Sequence, residues 1–173
     1  MTGPGQLPQG LSVRKGDLSD AGAISRFNQA MALETEGKAL VPARVDAGVQ
    51  RLLNEPSLGF YVVAVDGDRI VGCLLVTQEW SDWRNGLFWW IQSVFVEADW
   101  RRRGVYRALY EFVKGLANAD GGVCGFRLYV ERDNTIAQET YAALGMAPTH
   151  YLIYEQMRPG LEYLLERPGP GAA

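Results

Sequence analysis

Three consecutive arginines, Arg101, Arg102 and Arg103, are followed by Gly104-Val105-Tyr106-Arg107 and preceded, across a short connector, by the apolar stretch Val94-Phe95-Val96. If that stretch ends a strand and Val105 opens a helix, the first-turn N–H groups of the helix have no intrahelical acceptor, and the macrodipole adds positive charge beside the guanidinium groups. Such a place holds an anion and is suited to a diphosphate. A charge run alone is an ordinary solvated surface; the carboxyl end of a strand in an open α/β sheet is where ligands bind. The spacing fits neither Gly-x-x-x-x-Gly-Lys-Ser/Thr nor Gly-x-Gly-x-x-Gly, which excludes a Walker loop and a dinucleotide fingerprint.

Carboxylates and indoles gather in two further segments. Glu34 and Glu36 lie in Glu34-Thr35-Glu36-Gly37-Lys38, and Glu79, Trp80, Asp82 and Trp83 lie in the polar break 79–86. Carboxylates attract a cation and indole faces stack on one, so both segments are candidates for holding a positively charged small molecule. The plain alternative is solvated acids beside tryptophans packed under a loop or in a dimer contact. His150 is the only histidine, has no paired nucleophile in view, and reads as structural. Neither His-x-x-x-His nor paired Cys-x-x-Cys occurs, so no metal site is expected. Cys73 and Cys124 each sit in an apolar run and read as buried, unreactive thiols.

These residues need elements to hold them. A short strand is expected at 11–14. Ile24, Phe27 and Met31 recur at helical spacing and predict a helix over 20–33 behind the capping residues Asp17 and Asp20; Val45, Val49, Leu52 and Leu53 predict a second, ending before Pro56. The acidic segment 34–38 is then the loop between them. Asp66-Gly67 between two β-rich runs, 60–65 and 69–77, predicts a tight antiparallel hairpin. The nearly unbroken apolar run 87–96 predicts a central strand covered on both faces. Val105, Leu109, Phe112, Val113 and Leu116 predict a helix stopped at Gly121, followed by a strand over 123–130. Asp133-Asn134-Thr135 caps a helix that stops at Gly145, and the β-rich run 146–157 closes the chain with a strand or hairpin. This succession of elements predicts an α/β sheet with helices on both faces.

The chain has 173 residues, enough for about one domain at roughly 150 residues each, and 47% hydrophobic with 21% charged residues excludes a disordered or fibrous chain. Residues 1–10 and 168–173 are rich in Pro and Gly and read as flexible tails around a single domain over 11–167. A net charge of -3 gives no general attraction for nucleic acid. No apolar run approaches the ~18 residues of a membrane span and no leader pattern opens the chain, so no membrane partner and a cytoplasmic location are expected.

Two segments resemble the GNAT superfamily of acyl-coenzyme-A-dependent N-acetyltransferases. Arg101-x-x-Gly104-x-Tyr106 after a strand is similar to that family's Arg/Gln-x-x-Gly-x-Gly/Ala, with Tyr106 in place of a small residue. Asn134-x-x-Ala137-x-x-x-Tyr141 followed by Leu144-Gly145-Met146 is similar to its Asn-x-x-Ala-x-x-x-Tyr and Leu-Gly-Phe. The resemblance implies a mixed, mostly antiparallel twisted sheet of six to seven strands in the order β-α-α-β-β-β-α-β-α-β. It implies acetyl-CoA as cofactor, bound by Val94, Phe95 and Val96 along the arm, by Arg101, Arg102, Arg103, Gly104, Val105, Tyr106 and Arg107 at the pyrophosphate, and by Asn134. It implies Tyr141 as the acid that protonates the leaving thiolate; a phenol with its ordinary pKa near 10 is protonated at neutral pH. The family's strand-four glutamate falls at Trp90, which leaves Glu34, Glu36, Glu79 or a water on Gln92 or Ser93 as routes for the amine proton. Glu34, Glu36, Glu79, Trp90 and Gln92 are the candidate contacts of a small cationic amine acceptor. A non-catalytic acyl-CoA sensor and a protein lysine or N-terminal acetyltransferase are the alternatives, and a homodimer fits the family habit.

Overall fold

The computed structural model describes residues 10–165, so the expected tails fall outside the described residues except for residue 10. Its elements are β1 (Leu11–Lys15), α1 (Ala21–Glu36), α2 (Pro42–Asn54), β2 (Phe60–Asp66), β3 (Arg69–Ser81), β4 (Gly86–Val96), α3 (Val105–Asp120), β5 (Val123–Arg127) and α4 (Thr135–Ala143). The five strands form one sheet in chain order, antiparallel throughout except for the parallel pair β4 and β5.

Period-two alternation divides the sheet into two faces. Tyr61, Val63 and Val65 of β2 pack with Ile24, Phe27 and Val49 of α1 and α2, whereas Val62 and Ala64 pack with Val105, Leu109 and Val113 of α3. The α3 stripe, with Leu109 and Val113 fully buried, is the i, i+4 ridge that a half-covered helix turns to a sheet. Asp20 is buried at 3% exposure and is held by both guanidinium nitrogens of Arg14 at 2.7 and 2.8 Å, so the entry to α1 carries a matched charge.

Several boundaries differ from the sequence reading, each for a physical reason. α1 runs to Glu36 and stops where Gly37 turns left-handed at φ 62°, placing Glu34 and Glu36 in its last turn and not in a loop. The hairpin turn is Gly67-Asp68, because Asp66 pairs with Arg69. β3 extends to Ser81 because the polar residues of the supposed break alternate with Trp80 on a two-sided ribbon paired to β4. β4 lies between β3 and β5, so β3 holds the middle position. The strand buried over nearly its whole length is β2; β4 is half-buried beyond Ile91. β5 stops at Arg127. The closing strand over 146–157 is absent: among the described residues there are five strands and not the expected six to seven, because no described strand pairs with that stretch. After it the chain returns to bridge Leu164 to Leu40. Cys73 is buried and its thiol pushed up to about 12 by desolvation, but Cys124 is exposed, since it lies on the edge strand. Among the described residues no helix is long and apolar enough to cross a membrane.

Candidate functional site

The parallel pairing of β4 with β5 ends at Trp90 and Arg127. β4 continues to Val96 bonded to β3 alone, so from residue 91 onward its β5-facing edge has no strand partner among the described residues. Within this free stretch the register to β3 shifts: Gln92 faces Leu75 and Phe95 faces Cys73, leaving Ser93 and Val94 opposite Leu74, with Ser93 at φ 48°. This one-residue bulge moves the alternation by one place. Trp89 and Ile91 pack on the α3 face before it, as do Val94 and Val96 after it, while Phe95 turns to α1 and stacks on Phe27 with centroids 4.9 Å apart.

The strand leads into the turn before α3. Arg102 at φ 62° and Gly104 at φ 82° are both left-handed, and the second caps α3 with no side-chain bond to its free N–H groups. A Cβ at Gly104 would meet nothing within 4 Å, so the glycine is required by its dihedral and not by space. Val105 is buried at 2%, Arg102, Arg103 and Arg107 are exposed, and Arg103 lies over the Trp100 ring at 5.5 Å. Arg101 faces another way. Its Nε donates to the Val96 carbonyl at 2.9 Å, and its two terminal nitrogens grip both Glu34 oxygens at 2.6 and 2.7 Å. That bidentate bond holds the Glu34 carboxyl below its ordinary range and the guanidinium above its own.

On the far side, Tyr141 of α4 meets Tyr106 edge-on with centroids 5.7 Å apart, and Tyr106 stacks on Tyr110. Burial raises both phenols, so each is a proton donor at neutral pH. The Tyr106 hydroxyl is buried with no hydrogen-bond partner among the described residues, an orphan donor that a bound polar group would satisfy. Asn134 caps α4, its Oδ1 accepting from the Ala137 N–H at 3.1 Å.

The Acetyltransferase (GNAT) family pattern matches residues 27–146, which span both the arginine turn and the tyrosine helix. The chain belongs to the GNAT acetyltransferase family. It is similar to the crystal structure of a possible acetyltransferase from Clostridium difficile 630, at 39% identity and TM-score 0.80, over 86% of this chain and 97% of that one. It shares its fold with an aminoglycoside acetyltransferase from an uncultured soil metagenomic sample, at 16% identity and TM-score 0.71, over 88% of this chain and 100% of that one. A third likeness is to AAC(6')-Iy in complex with a coenzyme A bisubstrate analogue, at 16% identity and TM-score 0.68, over 86% of this chain and 98% of that one. No curated protein matches the chain by sequence.

In this GNAT chain the remaining predicted residues fall into separate places. Glu79 accepts from the Trp90 indole N–H and from Arg127 at 2.7 Å, and these two bonds hold its carboxyl below the ordinary range. Gln92 donates to Thr77 Oγ1 at 2.6 Å and accepts from the Tyr129 hydroxyl at 3.3 Å. Glu36 is bonded to Lys38 at 2.5 Å and stands apart from Glu79 in both sequence and contacts. Trp80 and Trp83 are 59% and 86% exposed and so do not close a pocket. Sequence reasoning missed a cavity of about 260 Å³ under α1 and α2, lined by Asn28, Met31, Leu40, Val45, Tyr61 and the bulge residue Ser93. Asn28 donates to the Tyr61 hydroxyl at 3.4 Å, and its own Oδ1 is buried without a partner among the described residues. Nothing in the spacing of these six residues marks them together, because they come from α1, the α1–α2 connection, α2, β2 and β4.

Proposed function

We propose that this GNAT chain is an N-acetyltransferase that moves an acetyl group from acetyl-CoA to a primary amine of a small cationic metabolite by direct attack with both substrates bound. The observation that carries the reading is the free edge of β4 beyond Ile91, which runs past the Ser93 bulge to the uncapped start of α3. Val94, Phe95 and Val96 would hold the arm of the cofactor as an added strand. The amides after Gly104, with Arg102, Arg103 and Arg107, would take the pyrophosphate. Arg101 acts beside them as a strut, since its guanidinium is committed to Glu34 and Val96. The orphan Tyr106 hydroxyl supports the fit, being a donor without a partner in the wall that carries Tyr141. Asn134 positions that wall by capping α4. Acetyl-CoA supplies an activated acyl carbonyl and a thiolate leaving group.

Tyr141 is the acid for that thiolate, kept protonated by burial. The amine proton has no raised carboxyl to accept it, because Glu34 and Glu79 are both lowered by their partners and act as counter-ions. Their side chains stay 49% and 41% exposed while bonded, which leaves each able to face a cationic acceptor. The proton leaves through water at Gln92 and Ser93.

Purified protein given acetyl-CoA and a panel of polyamines, amino-acid amides, aminoglycosides and peptides tests this by thiol release. Transfer to at least one small amine is expected. Its kcat/KM should rise with pH toward the acceptor's own ammonium pKa, with no acid limb from the two lowered carboxyls and no fall before Tyr141 ionises above its ordinary 10. Binding of coenzyme A with no thiol release under any small amine overturns catalysis in favour of a sensor, and a falling limb below pH 9 removes Tyr141 from the acid role.

A further inference from the structure

The sheet face that carries α1 and α2 is covered by them over only part of its length. The apolar cluster beneath those helices reaches Leu75 and Phe95 but not Phe88 or Trp90. Because Trp89 and Ile91 take the α3 face, Phe88, Trp90 and Gln92 stand on the uncovered one, between Glu79 of β3 and Arg127 of β5. Arg14 and Arg101 each give two nitrogens to both oxygens of one carboxylate. Arg127 gives one nitrogen, at 2.7 Å, to Glu79, whose other oxygen takes the Trp90 indole N–H. Its Nε and Nη2 have no hydrogen-bond partner among the described residues. The guanidinium nonetheless has a fixed place, 3.7 Å from the Phe88 ring centroid and 5.9 Å from that of Trp90. Phe88 in turn lies against Gly125 of β5, where a Cβ would come within 2.8 Å of the ring. The same ring carries Arg84 at 5.1 Å, while Asp82 of that turn is bonded to the Trp83 N–H. A guanidinium held over aromatic rings with donors to spare is a fork ready for a carboxylate.

We propose that the acceptor of this chain is an amino acid with a second, terminal amine, whose carboxylate is taken by the free donors of Arg127. This rests on the acetyl-transfer reading for the place of the reacting amine, beside Gln92 and Ser93. The head of such a molecule carries an ammonium and a carboxylate on one carbon. Glu79 and Arg127 present the opposite charges side by side, with side chains 41% and 31% exposed, so the head can meet both members of the pair with matched sign. From Trp90, the register partner of Arg127, to Ser93 is ~10 Å of strand. A reacting amine at the far end of a carbon chain fits that interval, and an amine on the same carbon as the carboxylate does not. Between the two places the Tyr129 hydroxyl donates to Gln92 and Gln92 donates to Thr77, so the strip that the chain of carbons crosses is already hydrogen-bonded. A diamine lacking the carboxylate would meet Arg127 with like charge.

Thiol release from acetyl-CoA should show kcat/KM about tenfold higher with lysine or ornithine than with their amides or with cadaverine and putrescine, the diamines that lack the carboxylate. Arg127→Gln should bring that ratio close to one through KM, with coenzyme A affinity and the melting midpoint kept. Arg127→Lys should recover only part of the ratio, since an ammonium restores the charge and not the fork. Calorimetric binding of the same amino acids and diamines to the complex with coenzyme A repeats the comparison without turnover. Where a variant does not fold, the wild-type comparison decides. A binding preference for the amino acids with no thiol release from any amine keeps the fork and removes the acetyl-transfer reading. Diamines or amides turned over as well as the amino acids keep that reading and overturn the fork. A preference that survives in folded Arg127→Gln overturns it as well, as does the absence of both binding and turnover with the two amino acids.

Discussion

Residues 11–117 and residues 118–165 are built on different terms. The first stretch holds every buried side chain, from Leu11 to Ala117, in two clusters on either side of the sheet. The second holds one short strand, one short helix and no buried residue. It is joined to the first by a short parallel pairing, by Tyr110 and Trp89 against Phe126, and by Tyr106 against Tyr141. Local opening costs least where buried apolar contact is least. The residues proposed to bind the cofactor thus lie beside the core on β4 and α3, whereas Tyr141 lies in a stretch that packs on that core only through partly buried side chains such as Phe126, Leu128, Leu144 and Met146.

The sharpest way to break that contrast is to remove packing from each side. Leu109→Ala, in a fully buried position, should lose about 2–5 kcal/mol in urea unfolding, whereas Ile136→Ala should stay within ~0.5 kcal/mol. Comparable losses would mean the second stretch has a core after all. Next in size is Tyr141→Phe, which keeps the ring and its edge contact with Tyr106; kcat should fall roughly 100-fold with coenzyme A affinity and unfolding midpoint nearly unchanged. A change in affinity alone would make Tyr141 part of the binding wall. The smallest effect tests the rigid side. Gly104→Val forces a branched residue into a left-handed dihedral at ~1–2 kcal/mol, so coenzyme A should bind about tenfold more weakly by calorimetry. Gly104→Asn should keep most of the affinity, because asparagine tolerates that region and the space is open. Equal losses for the two variants would make crowding, and not conformation, the reason for the glycine.

What the sequence made legible was local. The stripe of Leu109 and Val113 located α3, the Asn134 cap located α4, and the β-rich runs on either side of Asp66-Gly67 located the first hairpin to within a residue of its turn. The arginine turn was legible because helix-start chemistry and strand-end position coincide in a few residues. The bond from Arg101 to Glu34 was not, because it joins residues 67 apart in the chain and depends on how α1 lies on the sheet. Glu34, Glu36 and Glu79 were legible as charges but not as members of ion pairs. Cys124 looked buried from its apolar neighbours, yet an edge strand exposes residues that an inner strand would cover. The stretch 146–157 has a strand's residues, but pairing is a property of two segments and only one of them is in the run.

The extra residue at Ser93 gives β4 two parities in one strand. By residue number, the α3 side takes odd positions as far as Ile91 and even positions from Val94. Shortening the strand by that one residue would interchange everything downstream. Phe95 would leave its stack on Phe27 for the opposite layer, and two valines would be delivered to the aromatic slot. The kink is thus a phase marker, and it lets one strand serve the α3 layer with both of its parities while Phe95 serves the α1 layer.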